Sequence, residues 1–245
     1  MKKTLIALMA LAGVASAALT EVANMSELID GAKTAGTITL STEGYDQEVY
    51  TLNNGAWYGI TNEDLVDTMG KTTGVITMSA WINLDSASNY NMVFGWGATG
   101  TGFKFGTKGD DLAFVTKNKL ESVSDQSIAA GEWTLVSLSY NLGDTCFRLY
   151  VDDENQGFDN NRVMNAVTVK EFAIGSANGN ATSGTENFSG QIAGVKVFYS
   201  EDWVSGAEIV AAMSAAPTIN VVPEPATATL SLLALAGLAA RRRRK

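Results

Sequence analysis

Three carboxylates lie close together in the stretch EGYDQE, residues 43–48. Glycoside hydrolysis needs two carboxyl groups that face each other across a cleft, about 5 to 9.5 Å apart. Alternate residues of an extended strand share a face, so Asp46 and Glu48 would lie together and Glu43 would lie on the opposite face. A divergent glycanase would use this pair, and it is the least favoured of the functions considered below.

Most other catalytic chemistry is excluded by composition. The chain has no histidine and a single cysteine, Cys146. The absence of histidine removes the Ser-His-Asp and Cys-His triads and the HExxH zinc site. No serine is followed three residues later by lysine, so the S-x-x-K dyad is missing as well. We therefore expect a protein that is not an enzyme, with Cys146 as a small buried residue of a strand.

Paired aspartates indicate a second kind of chemistry, calcium binding. The stretch DDENQG, residues 152–157, begins like an EF-hand loop, but Val163 stands where that loop needs a bidentate glutamate. A polar hairpin turn is the favoured interpretation. Calcium at the rim of a β-sandwich would need oxygens from distant loops, and the cofactor stays open on this evidence. Candidate donors are Asp110, Asp111, Asp152 and Asp153.

Aromatic side chains near predicted turns could bind sugars. Glycan-binding proteins stack sugars on exposed rings that combine an apolar face with a polar edge. Four rings lie at turn-flanked positions: Trp57, Tyr58, Tyr90 and Trp96. A place in the core is the alternative for each of them, and it is the more favoured one.

The charge distribution argues against nucleic acid as a partner. Seven of the 17 basic residues but only one of the 26 acidic residues lie in the two terminal segments described below. The body between them is therefore strongly acidic, whereas phosphate binding needs clustered lysine and arginine.

The first 17 residues have the pattern of a secretory signal peptide. A basic start at residues 1–3 precedes an apolar run at 5–14, and Ala15-Ser16-Ala17 supplies the small residues that a signal peptidase recognises. We expect cleavage between Ala17 and Ala18.

Alternating apolar residues predict an all-β domain over residues 18–216. In GVITMSAWINL, residues 74–84, alternate residues from Ile76 to Leu84 share one apolar face. Similar short runs recur about every ten residues and are separated by turn signals such as Asn54-Gly55, which is typical of a β-sandwich or barrel. Near the end, Ser205 and Glu208 form a capping box that predicts a short helix over residues 206–215. A second short helix is possible around residues 26–32.

Five stretches occur in an order that resembles a known domain. They are ITMSAWINL, EWTLVSLSY, FRLYVDDENQG, FAIGSAN and FSGQIAGVKVFYSEDWVSGAEIVAAM. This series resembles the laminin G-like, concanavalin A-like jelly roll of bacterial surface proteins over roughly residues 36–216. The resemblance implies two antiparallel sheets packed face to face, with a short C-terminal helix.

Three features depart from patterns in that superfamily. Asp153 stands where the hairpin usually has glycine, and Gly194 and Val195 replace an acidic pair of the last strand. The E-x-D-x-x-E string of the related glucanases is missing. Because the superfamily includes lectin-like binders, adhesion modules and glycanases, the fold does not by itself give the function.

The C-terminus resembles the PEP-CTERM sorting signal of Gram-negative bacteria. After a linker at residues 217–222, Pro223-Glu224-Pro225 precedes an apolar segment at 226–240 and a basic cluster at 241–245. As a helix the apolar segment would span about 22 Å, which is short for a bilayer core of about 30 Å. The resemblance implies transient membrane insertion, cleavage by an exosortase near the motif, and transfer to the cell surface or extracellular matrix. A permanent anchor is the alternative.

Together these observations favour an exported surface or matrix module that binds polysaccharide in a lectin-like way. A structural envelope protein without a small ligand is the second hypothesis, and a divergent glycanase is the third.

Overall fold

The structure is a computed structural model of the 245-residue chain. It describes residues 18–41, 44–60, 62–97, 102–116, 121–156, 172–177 and 186–219. The predicted signal peptide, including Ala17, lies outside the described residues. So do Pro223, Glu224 and Pro225, the apolar segment and the basic cluster.

Antiparallel strands dominate the described residues, as the alternating patterns predict. The strands are β1 (Thr20–Asn24), β2 (Lys33–Ser41), β3 (Val49–Ile60), β4 (Val75–Leu84), β5 (Ser88–Trp96), β6 (Phe103–Gly109), β7 (Asp111–Thr116), β8 (Glu121–Ser127), β9 (Trp133–Asn141), β10 (Phe147–Val151), β11 (Glu154–Asn155), β12 (Phe172–Ile174) and β13 (Gly190–Ser200). Three short helices accompany them: α1 (Met25–Ile29), α2 (Glu63–Met69) and α3 (Gly206–Ala212).

The strands form one continuous ladder in the order β11-β10-β9-β4-β13-β3-β12-β5-β6-β7-β8, with β1 added beside β13 and β2 beside β3. This ladder folds over on itself. The rings of Phe114 in β7 and Phe147 in β10 lie 4.5 Å apart between centroids, although seven strands separate β7 from β10 in the order. The predicted sandwich is therefore confirmed, and its two layers are joined through β13 and β3.

The main core lies between the two layers. The predicted apolar face of β4 is buried there, from Ile76 through Met78 and Ala80 to Leu84. Fully burying an isoleucine or leucine side chain contributes about 1.5–3 kcal/mol. Phe147 on β10 also points into this core, as its alternation predicts.

A second apolar cluster covers the outer face of the layer that contains β9, β10 and β13. Helix α3 lays Ile209 and its C-cap residue Met213 against Leu135 of β9 and Phe198 of β13. The predicted capping box is present, since Ser205 accepts from the backbone N–H of Glu208 and the Glu208 carboxylate accepts from that of Ser205. The helix ends at Ala212, three residues earlier than predicted.

The other two helices differ more from the sequence-based expectation. Helix α1 spans Met25–Ile29 and is capped by Asn24. Helix α2 was not predicted, although Asn62 accepts from the Leu65 N–H at its start and two acidic residues follow. Those features are an N-terminal helix signal that the strand patterns on either side obscured.

The domain continues past its predicted end. Pro217 is buried, Thr218 hydrogen-bonds to Asp46, and Ile219 forms a β-bridge with Tyr45. The first three residues of the predicted linker at 217–222 thus lie on the body of the domain.

Candidate functional site

A cleft of about 220 Å³ opens between α1, the start of β3 and the middle of β13. We call it the switch cleft, because β13 changes its hydrogen-bonding partner there. Its lining consists of Asn24, Met25, Ser26, Gln47, Glu48, Tyr50, Gly194, Val195 and Lys196.

A bulge in β13 creates the cleft. Residues 190–193 of β13 pair with β3, whereas residues 196–199 pair with β1. The register to β4 shifts between Ala193 and Lys196, and Gly194 adopts a φ of +57° there. This left-handed conformation suits glycine, and a bulge bends the strand that carries it. The ends of β1 and β3 therefore diverge and leave a gap.

The acidic side of the cleft is built around Glu48. Its exposed carboxylate accepts a hydrogen bond of 2.7 Å from the buried hydroxyl of Tyr50. Burial, together with the nearby Glu48 charge, raises the pKa of Tyr50 above its usual range. Burial and the same charge raise the pKa of Tyr58, whose ring meets that of Tyr50 edge to face. Both phenols are therefore neutral donors at physiological pH.

The opposite side of the cleft is held by Lys196. Its ammonium group lies 2.9 Å from the Glu21 carboxylate and donates to the carbonyl of Ala212. This hydrogen-bonded ion pair holds the pKa of Glu21 below its ordinary value. Asn24 donates to the same carboxylate while its side-chain oxygen accepts from the hydroxyl of Ser26. The groups on this side are thereby fixed in place.

The cleft can form directional hydrogen bonds. Its lining includes residues that carry a carboxylate, an amide, a hydroxyl and an ammonium group: Glu48, Gln47, Ser26 and Lys196. Such groups match the hydroxyls of a sugar, which donate and accept. Tyr50 is 3% exposed and offers no ring face for stacking.

Three of the four rings predicted as sugar platforms lie in the interior. Trp57 is 2% exposed, Tyr58 8% and Trp96 3%. Trp96 packs against Phe172 with 6.0 Å between ring centroids. The burial of these three rings agrees with the core alternative and leaves none of them a face for a ligand.

A bulge explains why Trp57 and Tyr58 are buried although a turn was predicted just before them. Strand β3 continues without a break through Asn54-Gly55, which was predicted to be a turn. Gly55 has a φ of +82°, and the pairing of β2 with β3 shifts register at this point. The glycine therefore serves a bulge within a long strand, and the rings that follow it enter the sheet.

Tyr90 is the candidate ring that is only half-buried. The ammonium group of Lys104 lies 4.4 Å from its ring centroid and that of Lys108 lies 5.8 Å from it. Lys104 also pairs with Glu186. This ring stays a predicted ligand contact.

The four candidate aspartates lie at two hairpins. Asp110 joins β6 to β7 and Asp111 begins β7, whereas Asp152 and Asp153 join β10 to β11. The Asp111 carboxylate accepts from Ser127, and that of Asp152 accepts from the N–H of Leu135. Across the part of the chain that the structure describes, no three carboxylate or thiol groups gather where they could hold a metal ion. The four aspartates stay candidate donors, and the cofactor stays open.

Asp46 and Glu48, the pair of carboxylates considered for catalysis, do not face a common cleft. Both oxygens of Asp46 accept hydrogen bonds from Thr218, which lowers the pKa of Asp46, while Glu48 faces the cleft. Glu43 lies outside the described residues.

Four residues of the cleft were not predicted as site residues: Gln47, Lys196, Asn24 and Ser26. The available signal was the departure from the family pattern at Gly194 and Val195, since these residues form the bulge that opens the cleft.

The fold and a family comparison agree on the class of protein. Residues 53–209 match the profile of the concanavalin A-like lectin/glucanases superfamily, and the chain belongs to this superfamily. Residues 221–245 match the PEP-CTERM protein-sorting motif. This motif indicates export and sorting to the cell envelope, and it implies processing by an exosortase. No curated protein sequence matches the chain.

Solved structures with the same fold include sugar-contacting domains. Domain 4 of an extracellular arabinanase from Geobacillus stearothermophilus, solved with arabinotriose, has a TM-score of 0.58 at 14% identity and covers 81% of this chain and 100% of its own. A structure of botulinum neurotoxin type C, whose cell entry depends on two ganglioside molecules, has a TM-score of 0.54 at 15% identity and covers 80% of this chain. This chain spans half of that toxin chain. At these identities the likeness establishes the fold alone.

None of the helices among residues 18–219 that the structure describes is long and apolar enough to span a bilayer.

Proposed function

We propose that this protein is an exported, lectin-like module that holds a polysaccharide at the cell surface or in the extracellular matrix without cleaving it. The switch cleft is the proposed site. The observation that carries this proposal is the exposed Glu48 carboxylate, set beside Gln47 and Ser26 in a concave opening.

The rigidity of the cleft supports binding. Tyr50 donates to Glu48, the Ala215 carbonyl accepts from Gln47, and Asn24 and Glu21 fix the side that carries Lys196. A ligand entering such a site loses little affinity to the ordering of protein side chains. The named ligands of two proteins with this fold are also sugars.

A glycan array probed with the purified chain, with and without calcium, would test binding and identify the sugar. Isothermal titration with the best ligand should then show a loss of at least tenfold in affinity for Glu48→Gln, because one charge-assisted acceptor is removed. Glu201→Gln, which removes the same charge at an exposed site outside the cleft, should bind like the parent chain. A flat array, or equal loss in both variants, would contradict the proposal.

The absence of cleavage is part of the proposal. Asp46 is bonded to Thr218 and does not line the cleft, so Glu48 has no partner carboxylate there from the predicted pair. Release of reducing sugar that is abolished by Glu48→Gln or Asp46→Asn would show glycanase activity instead.

A structural envelope protein is the second candidate, and the burial of Trp57, Tyr58 and Trp96 favours it. Under this hypothesis, deletion would weaken the envelope or matrix while the isolated protein binds no glycan.

We further propose that a signal peptidase cuts between Ala17 and Ala18, that segment 226–240 enters the inner membrane transiently, and that an exosortase releases the domain near Pro223. Mass spectrometry of surface material should then find the chain without Arg241 and the residues after it.

A further inference from the structure

The chain does not leave the domain at the end of α3. Residues 214–219, which we call the stem, run back across the body toward the loop that precedes β3. The indole N–H of Trp81 donates to the Ser214 carbonyl at 2.8 Å, and the Gln47 amide donates to the Ala215 carbonyl at 2.7 Å. Pro217 is buried.

Asp46 and Tyr45 hold the far end of the stem. The Asp46 carboxylate accepts from the N–H of Thr218 at 2.9 Å and from its hydroxyl at 2.7 Å. The N–H of Asp46 donates to the carbonyl of Thr218, and Tyr45 pairs with Ile219 in an antiparallel bridge. The stem is thus fixed along its length by backbone and side-chain hydrogen bonds.

The sorting motif begins immediately after the stem. The matched motif starts at residue 221, and only residues 220–222 separate Ile219 from Pro223. Three extended residues span about 10 Å. An enzyme that cuts near Pro223 must contact the residues beside the cut, and only three residues separate Pro223 from the docked stem.

We propose that the docked stem is an autoinhibitory contact that restrains processing of the sorting motif until the stem detaches from the body. Detachment requires breaking the hydrogen bonds of Asp46 and Trp81, a local opening that leaves the sandwich folded. The restraint would let the folded domain control when it is released from the membrane. This inference rests on the proposed exosortase processing and is independent of whether the switch cleft binds a glycan.

Amide hydrogen exchange on the full chain tests whether the stem is held by these bonds. Asp46→Ala should speed exchange of residues 214–219 on the order of fivefold, since the carboxylate holds Thr218 through two hydrogen bonds. Trp81→Phe, which keeps a ring but removes the donor to Ser214, should act in the same direction. Asp144→Ala, at an exposed carboxylate of the β9–β10 turn, should leave the exchange of the stem unchanged.

A reversible lock tests whether docking controls processing. Tyr45→Cys with Ile219→Cys, in a Cys146→Ser background, places two cysteines at bridge-paired positions whose usual Cα separation suits a disulfide. Mass spectrometry would follow the removal of the C-terminal sorting signal over time, in membranes from cells that carry out this processing. The oxidised lock should be processed at least tenfold more slowly than the reduced form, and Asp46→Ala should be processed faster than the parent chain. Equal rates in the locked and reduced forms, or slower processing of Asp46→Ala, would overturn the proposal.

Discussion

Single residues decide where the two layers of this domain can approach each other. Gly190 begins β13 with a φ of +144°, and a Cβ at this position would overlap the carbonyl oxygen of Asn83 in β4. The strand pairs there with β3 on one side and β4 on the other. This residue therefore lies at the seam between the layers, where no side chain fits.

Gly190→Ala should lower the free energy of unfolding by about 3 kcal/mol, because backbone strain adds to a contact with backbone atoms that cannot move aside. Urea denaturation followed by tryptophan fluorescence measures this change. Gly131→Ala is the matched control, since Gly131 has a φ of +83° with nothing within 4 Å of the added Cβ. It should cost about 1 kcal/mol, and equal losses in the two variants would contradict the steric argument.

The positive-φ glycines also show how a residue-level signal can mislead. Asn54-Gly55 has the composition of a hairpin turn, yet it forms a bulge inside β3. Both structures need a left-handed residue, so the sequence alone does not distinguish them. The consequence is that Trp57 enters the interior instead of presenting its ring at a turn.

At the scale of secondary-structure elements, an ion pair fastens β1 to β13 in addition to their ladder. It joins Glu21 to Lys196 with an N···O distance of 2.9 Å. The hydrogen bond from Lys196 lowers the pKa of Glu21 in the folded state. A lowered carboxyl pKa means that the pair stabilises the fold above the unfolded-state pKa, near 4.3, and that this stability is lost as the pH falls through the folded-state value.

Glu21→Gln should therefore reduce the free energy of unfolding at pH 7 by less than about 1 kcal/mol, because Glu21 is exposed to solvent. The difference from the parent chain should shrink as the pH falls from 7 toward 3, because the glutamate of the unfolded chain and then that of the folded chain take up protons. Denaturation curves at pH 3, 5 and 7 would test this. A difference that grows toward low pH would reverse the sign of the argument.

Helix α3 shows an element that its sequence specifies well. Ser205 and Glu208 satisfy each other's backbone groups as the capping box predicts. The end of the helix was predicted less accurately, since Met213 leaves the helix to pack beneath it in the second apolar cluster. Packing against Leu135 and Phe198, which no local pattern encodes, sets that boundary.

At the scale of the whole molecule, we expect the two layers to unfold as one unit, because a single ladder and one main core join them. Phe147 of β10 is fully buried and contacts Phe114 of β7 across the sandwich. Any change at this contact affects both layers together.

Phe147→Ala should lower the free energy of unfolding by about 3–5 kcal/mol through lost burial and the cavity left behind. Unfolding should remain a single transition, so far-ultraviolet circular dichroism and tryptophan fluorescence should give coincident curves. Two separated transitions would show that the layers unfold independently. Tyr90→Ala, at a half-buried ring, is the control and should cost less.

The sequence by itself determined the class of this protein. Two-residue alternation predicted the strands, the Ser205 capping box predicted the last helix, and the order of motifs indicated the superfamily and the sorting signal. These signals are local, because each depends on residues within one strand, one helical turn or one terminal segment.

Only the tertiary structure decided which side chains meet. Asp46 binds Thr218 across 172 residues of sequence, and Glu48 shares a cleft with Lys196 because β13 changes partners at a bulge. The same long-range packing buries Trp57 and Trp96 and docks the stem, which precedes the sorting motif in sequence. Such contacts depend on how distant strands align in three dimensions, and the periodicity of a single strand carries no information about its neighbours.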